Sequence, residues 1–380
     1  MTSRERVMMA LNHKEPDRLP LDLGAGKACK FTKGFYVKLL KYLGLEEEID
    51  ICAKAQQQVF ASDAVLEKLG CDVRAARVKP IPQVKKRAKD WEDETSFFMI
   101  DDWGTTFRMP KSHPLYYDMI DFPLIGTSEE DDAAYEFAAP STFSPDSRNM
   151  VDAYHEAGYP VIICEHYANG FFQTGPRLYG FDNWLAMLIV EEDRVRKFLD
   201  KLVEEKIKWL DNLFDVYGDS ADIISECDDL GTQIGPFMSM EMFEDLILPY
   251  HKKVYQHIKS RSSAKILLHC CGSCAPFLPG LIDAGLDILN PVQITANNMD
   301  PYMLKKEYGR DLSFWGGGID TQKTLPTGSK QDVIDVVTRS IDAFAPGGGF
   351  IFTPVHAIQS DIPVENFITM FETYQKLCNY

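Results

Sequence analysis

What this sequence lacks narrows it quickly. No hydrophobic run approaches the roughly 20 apolar residues that span a bilayer. No secretory pattern opens it either: Arg4 and Arg6 precede a short Val-Met-Met-Ala-Leu stretch, but Asn12, His13 and Lys14 end that stretch, so it reads as an amphipathic helix. A cytoplasmic protein without a membrane partner is expected. Positive charge is scarce, with 40 Lys and Arg against 57 Asp and Glu and a net charge of −17, which argues against a nucleic-acid partner. Low-complexity tracts and linker-like stretches are absent, so residues 1–380 read as one domain. Gly24 and Gly26 are not followed by a third glycine at dinucleotide-binding spacing, and a nucleotide loop gets little weight.

What is present fits an enzyme. Hydrophobic residues make up 45% of the chain and aromatics 12%, enough for a large core. The nine cysteines are an odd number, which in a reducing compartment means free thiols or metal ligands.

Along the chain, Thr2 to Leu11 reads as a helix, and Arg18 to Leu23 as a strand. Phe35 to Leu43 and Ala61 to Leu69 read as helices closed by Gly44 and Gly70. Phe97 to Arg108 resembles a hairpin. The region from about Lys79 to Pro145, rich in Pro, Asp and Tyr, reads as an inserted hairpin or lid. From Pro160 the rhythm becomes regular. Strands are expected at Val161–Glu165, Ala221–Ser225, Ile266–Leu268, Asp287–Asn290, Leu312–Trp315 and Gly349–Thr353. Helices are expected at Val190–Tyr217, Met240–Ile258 (kinked or split at Pro249), Pro276–Ala284, Ser329–Phe344 and Val364–Leu377. Strands alternating with helices mean βα units and a parallel sheet, and this many units favours a closed (β/α)8 TIM-type barrel with an N-terminal extension and decorating loops.

The chemistry centres on His269–Cys270–Cys271–Gly272–Ser273–Cys274, at the end of an apolar strand. Residues i and i+2 of a strand share a face, so His269 and Cys271 project together and Cys270 points away. Three readings stay open: a soft-metal site on His269 and Cys271, a redox pair from Cys271 and Cys274, or a tight turn with ordinary buried cysteines. The metal reading is favoured. In a barrel every polar strand end faces one mouth. That would gather Glu165, His166, Glu226, Asp228, Asp229, Asn290, Gln293, Trp315, Asp320 and His356 around the pair. Catalytic zinc normally takes three protein ligands. His356, Cys274, Glu226 or Asp228 would be the third, and barrel geometry favours a residue from another strand over Cys274.

Several segments, taken together, resemble the uroporphyrinogen decarboxylase superfamily, and within it the corrinoid-dependent methyltransferases. They are Pro16–Asp17–Arg18–Leu19–Pro20, Glu226 to Gln233, His269-x-Cys271–Gly272–Ser273 and Leu281 to Gly285. They continue with Asn290–Pro291–Val292–Gln293, Trp315 to Asp320 and His356 to Pro363. The resemblance covers nearly the full length and implies a (β/α)8 barrel with its site at the carboxyl mouth. The decarboxylases carry arginines after the first strand to hold an acidic tetrapyrrole; here Leu23 to Ala28 contains none. The methyltransferase branch binds zinc through a His-x-Cys pair plus a later cysteine. His269 and Cys271 match the pair, while the later position reads Val355–His356–Ala357.

The reading implied is a zinc-dependent methyltransferase that moves a methyl group between a small methylated compound, a methoxylated one favoured, and the cobalt of a separate corrinoid protein. Metal ligands are sought among His269, Cys271, His356 and Glu226, and catalytic groups among Asp228, Asp229 and His356. Substrate contacts are expected from His166, Tyr167, Asn290, Gln293 and Trp315, with Tyr167, Phe171, Phe172 and Trp315 available to stack on an aromatic donor. A uroporphyrinogen-type decarboxylase and a methylcorrinoid:thiol methyltransferase are the alternative enzymes. A corrinoid carrier is disfavoured, because its Asp-x-His-x-x-Gly loop is absent. A homodimer is compatible with the sequence.

Overall fold

Seven short, buried strands pair in parallel in the order in which they occur: β1 (Arg74–Ala75), β2 (Val161–Ile163), β3 (Ile223–Cys227), β4 (Lys265–His269), β5 (Ile288–Asn290), β6 (Ser313–Trp315) and β7 (Phe350–Ile351). The structure is a computed structural model, and it describes residues 1–26, 29–78, 80–81 and 87–380. Leu21 closes the ring. It bridges Phe352 in parallel just past β7, while its carbonyl accepts the Asp72 N–H at 2.8 Å just before β1. The expected first strand thus shrinks to a single bridge, and the TIM-type barrel is closed by hydrogen bonds on both sides of one residue. Strands so short and so apolar can be buried on both faces because helices cover them outside.

The closure is locked by a buried carboxylate. Asp72 accepts from Arg6 Nη1 at 2.7 Å, Arg18 Nη1 at 2.7 Å and the Leu21 N–H at 2.9 Å. The Pro16–Asp17–Arg18 segment therefore ties the N-terminal helix (Ser3–Leu11) and the closing segment to the start of β1. That helix and the helix Lys330–Phe344 begin with capping boxes, Thr2 with Glu5 and Ser329 with Asp332.

Pro249 does split its helix, as its missing N–H requires. Met240–Met242 passes through a π-helical turn, Phe243–Ile247, into Leu248–Arg261, with the proline in the first turn of the last piece. The long helix expected from Val190 starts anew at Glu192, after a separate helix Phe181–Val190. The hairpin at Phe97 belongs to a four-stranded antiparallel meander, Lys89–Glu92, Ser96–Ile100, Thr106–Pro110 and Asp118–Asp121. Lys79, where the inserted region was placed to begin, lies outside the described residues, as do Lys27 and Ala28 of the first-strand loop. A small sheet of Phe31–Thr32, Ile51–Ala53 and Gln58–Val59 was not anticipated from the sequence. No helix among the described residues is long and apolar enough to cross a membrane.

Candidate metal centre

Strand register decides which polar side chains reach the mouth. Cys227, His269 and Asn290 stand side by side on β3, β4 and β5, and so share one face. Glu226 and Leu268 pair on the opposite face. Glu226 is accordingly aimed at the helix layer, where its Oε2 meets Lys206 Nζ of the helix Glu192–Tyr217 at 2.6 Å, both side chains being buried. The lysine also donates to the Tyr167 carbonyl at 2.9 Å. The structure thus places Glu226 in a buried ion pair outside the cluster that the mouth assembles.

That cluster is His269, Cys271 and His356, whose ligand atoms all lie within 4.8 Å of one another. Cys271 Sγ is 3.6 Å from His269 Nε2. Zinc–nitrogen and zinc–sulfur bonds of about 2.0 and 2.3 Å at a tetrahedral angle span an edge of about 3.5 Å, so the pair is already spaced for one ion. The imidazole is oriented for the task. Asn290 Nδ2 donates to the Trp315 carbonyl at 2.9 Å, which turns Asn290 Oδ1 towards His269 Nδ1, also at 2.9 Å. His269 must then carry its proton on Nδ1, leaving the Nε2 lone pair for a ligand. His356 comes from the loop after β7, and its ring centroid lies 5.8 Å from that of His269.

The turn after β4 is held just as firmly. The Cys271 N–H donates to Asp229 Oδ1 at 2.7 Å, the Gly272 N–H to Gln293 Oε1 at 2.7 Å and the Ser273 N–H to the Thr232 carbonyl at 2.8 Å. Gly272 has φ +82°, and a Cβ there would sit 2.2 Å from the Gly231 carbonyl oxygen, so only glycine fits. Burial pushes the Cys271 thiol well above its ordinary range, and the Asp229 carboxylate adds to the effect. A divalent cation reverses that balance by favouring the thiolate. Soft thiolate, oriented imidazole and a second imidazole together fit zinc.

The remaining expected residues divide between the cavity and its supports. Asp229 and His166 line a cavity of about 500 Å³ together with His269 and His356. His166 Nδ1 lies 3.2 Å from the Cys164 carbonyl oxygen, to which it donates. Asp228 is fully buried and accepts three backbone N–H groups, from Phe171, Phe172 and Gln173, at 2.9 to 3.0 Å, with His251 Nε2 also at 3.0 Å. It caps the helix Phe171–Tyr179, complementing the positive end of that helix. Asn290 and Gln293 position His269 and Gly272. Trp315 is buried, with its indole N–H on Asp22 Oδ2 at 3.0 Å. Tyr167 is buried too, its hydroxyl on the Ala138 carbonyl. Phe171 and Phe172 are 1% exposed and pack on Tyr250 and Phe237. None of these four aromatics lines the cavity; Trp103, from the turn of the meander, does.

The sequence reading also passed over Lys30, Cys52, Gln56 and Gln58, which reach the cavity from the small sheet and its loops, and over Arg177, Asn169, Gln173 and Cys227. Nothing in their local spacing marks them. Arg177 stacks near Trp103 and holds Asp101 through Nε at 3.0 Å and Nη2 at 2.6 Å.

Comparison with known proteins agrees with this architecture. The profile of the family described as uroporphyrinogen decarboxylase (URO-D) matches residues 172–377. The chain belongs to the uroporphyrinogen decarboxylase family. The match runs from the helix that Asp228 caps to the C-terminal helix, and so takes in every member of the metal cluster. Among solved structures, a methyltransferase from Methanosarcina mazei superimposes with a TM-score of 0.64 at 15% identity, covering 99% of this chain and 99% of that one, so the two share a fold over their full lengths. A GH113 beta-mannanase from Alicyclobacillus acidocaldarius aligns over 68% of this chain and 82% of that one, at 9% identity and a TM-score of 0.31, too slight a likeness to compare sites. No curated protein matches by sequence.

Proposed function

We propose that this member of the uroporphyrinogen decarboxylase family is a zinc-dependent methyltransferase that passes a methyl group between a small methylated compound, a methoxylated one favoured, and the cobalt of a partner corrinoid protein. The observation that carries the reading is the His269–Cys271–His356 cluster, with the tautomer of His269 set by Asn290. His356 takes the place where the methyltransferase branch has a cysteine. The full-length likeness to a methyltransferase fold supports the reading. Zinc held there would supply Lewis acidity to the heteroatom that carries the methyl group.

The chain's own residues do the rest. Asn290 keeps His269 Nε2 aimed into the site. Asp229 and Gln293 hold the backbone of Cys271 and Gly272, so the ligands are preorganised. One thiolate and two imidazoles place a single negative charge on the ion. Two thiolates would place two, and that charge suits thiolate reactivity rather than Lewis acidity. The balance favours demethylation of an ether over methylation of a thiol. The partner's reduced cobalt(I) would supply the electron pair that takes the methyl, so that the ether oxygen leaves with the pair of the broken bond and takes up a proton. Decarboxylation of a porphyrinogen fits less well. Among the described residues, the lysines and arginines of the cavity are Lys30 and Arg177, and Arg177 is committed to Asp101. A substrate with many carboxylates lacks its clamps in a chain of net charge −17.

The test is metal analysis followed by turnover. Purified protein should hold about one zinc per chain, lost in His269→Ala, Cys271→Ala and His356→Ala and kept in His356→Cys. Incubation with a reduced corrinoid protein and a panel of methoxylated donors should then yield methylcobalt. Full zinc content in all three alanine variants would remove the basis of the proposal.

A further inference from the structure

Four cationic side chains are buried among the described residues: Arg6, Lys30, Arg74 and Lys206. Buried lysines and arginines are rare unless paired. Arg6 pairs with Asp17 and Asp72, Arg74 with Asp63, and Lys206 with Glu226. Lys30 is 7% exposed; among the described residues its ammonium bonds the Cys52 thiol and feels the Glu165 carboxylate, without the direct carboxylate pairing of the other three. Its ammonium lies 5.0 Å from the centre of the Phe60 ring, and the side chain lines the same cavity as His269 and His356. Burial works against its charge. Its neighbours Cys164, Cys52 and Glu165 outweigh that effect and raise its pKa, Glu165 being the carboxylate among them and the Cys52 thiol being pushed up by burial, so Lys30 stays an ammonium at neutral pH.

Lys30 is also placed close to the metal cluster along the backbone. Its carbonyl accepts the Ile358 N–H at 3.0 Å, and the next residue, Phe31, bridges Ile358 in parallel. Ile358 is two residues beyond His356. The charged amine and the third member of the cluster therefore enter the cavity from paired segments. The amide side chains of Gln56, Gln58, Asn169 and Gln173 line the same cavity. At about 500 Å³ the cavity is of a size for a small molecule.

We propose that Lys30 anchors a carboxylate of the substrate, so that the compound this site takes is a small monocarboxylic acid, held by its charged end at Lys30 and presenting its other end to His269, Cys271 and His356. Glu165 already faces this ammonium, so the smallest anionic charge, that of a single carboxylate, is the one the site holds at least cost. A dianion such as a phosphate ester would leave excess negative charge in a buried cavity that already contains Glu165 and Asp229. That the far end carries a methyl group rests on the methyl-transfer reading above; the anchoring itself does not.

The experiment is calorimetric titration without any corrinoid protein, using methoxyacetate and 3-methoxypropionate against the uncharged 2-methoxyethanol. It is run on zinc-loaded and on zinc-stripped protein, on the unmodified chain and on Lys30→Gln and Lys30→Arg. The acids should bind at least tenfold more tightly than the alcohol, with or without zinc. Lys30→Gln should lose that preference while keeping its zinc content and melting temperature within a few degrees, and Lys30→Arg should keep most of it. Equal binding of acid and alcohol to the unmodified chain overturns the proposal without any variant, as does failure of both acids to bind. A preference that disappears with zinc but survives in Lys30→Gln overturns it too, because the carboxylate would then be on the metal. A preserved preference together with failed methyl transfer to cobalt would sink the methyl-transfer reading and leave the anchor standing.

Discussion

His269 Nδ1 lies 2.9 Å from Asn290 Oδ1, and the amide of Asn290 is in turn fixed by its bond to the Trp315 carbonyl. Three adjacent barrel strands thus cooperate to orient one imidazole: β4 supplies it, β5 orients it and β6 anchors the orienting group. Under the zinc reading proposed above, Asn290 is a positioning residue for the metal. Asn290→Ala should weaken zinc binding by roughly 10- to 100-fold, the range typical of lost outer-shell partners. Asn290→Asp should retain or strengthen it, since a carboxylate accepts the same proton. Competition with a chromogenic chelator measures both. An unchanged affinity in Asn290→Ala would mean that His269 is not a ligand through Nε2.

Asp228 separates a structural carboxylate from a catalytic one. Its acceptors are taken up by three backbone N–H groups and His251. Gly170 before the capped helix has φ +127°, and a Cβ there would come within 2.5 Å of the Asp228 Cγ. Asp228→Ala should therefore cost about 3–5 kcal/mol of stability, because it orphans several buried donors at once. Zinc content in the folded fraction should not change. Denaturant titration decides the matter: near-native stability with abolished turnover would restore the catalytic reading.

Glu226 offers a second separation, and it shows how one residue of register decides a role. Glu226→Ala should destabilise the fold by about 3–5 kcal/mol, since Lys206 would be left buried and uncompensated. Replacing both partners by methionine should cost much less, or nothing. Zinc should remain at about one per chain in every soluble variant. Zinc loss at unchanged stability would instead place the carboxylate on the metal.

The sequence carried the barrel and the approach of His269 to Cys271 for physical reasons. Alternating apolar strands and capped helices are local signals, and the His269-x-Cys271 spacing survives folding because strand parity is local too. The parity of β3 was less visible. With the strand expected to stop at Ser225, Glu226 and Asp228 looked like mouth residues; the observed strand runs to Cys227 and turns Glu226 outward. Lys30 and Trp103 were illegible because they reach the cavity from a loop and a meander whose placement depends on contacts distant in the chain. Aromatic residues near the motifs, such as Phe171 and Trp315, looked like a stacking wall and serve as core.

The opposite end of the barrel holds a half-buried lysine. Lys305 lies against the Gly347–Gly349 turn before β7, where it donates to the Gly348 carbonyl. Burial brings its pKa down from 10.5 to about 8, only partly offset by Glu15. Below pH 8 the lysine is protonated in both folded and unfolded chains, and the folded state bears the full cost of the buried charge. Between about 8 and 10.5 the unfolded chain holds the proton more tightly than the folded one. Stability attributable to this group therefore rises with pH across that window and levels off above it. His13, beside it, has its pKa pushed down from 6.5 by burial and by Lys305, so it titrates below the window and does not confuse it. Lys305→Met removes both the charge and a hydrogen bond, so its absolute stability is not the informative quantity. The informative quantity is the stability difference between the variant and the unmodified chain, measured by denaturant titration at pH 7, 8, 9 and 10. That difference should move steadily in favour of the unmodified chain as pH rises, while groups common to both proteins cancel. A difference that stays flat from pH 7 to 10 would show that Lys305 keeps an ordinary pKa in the folded protein.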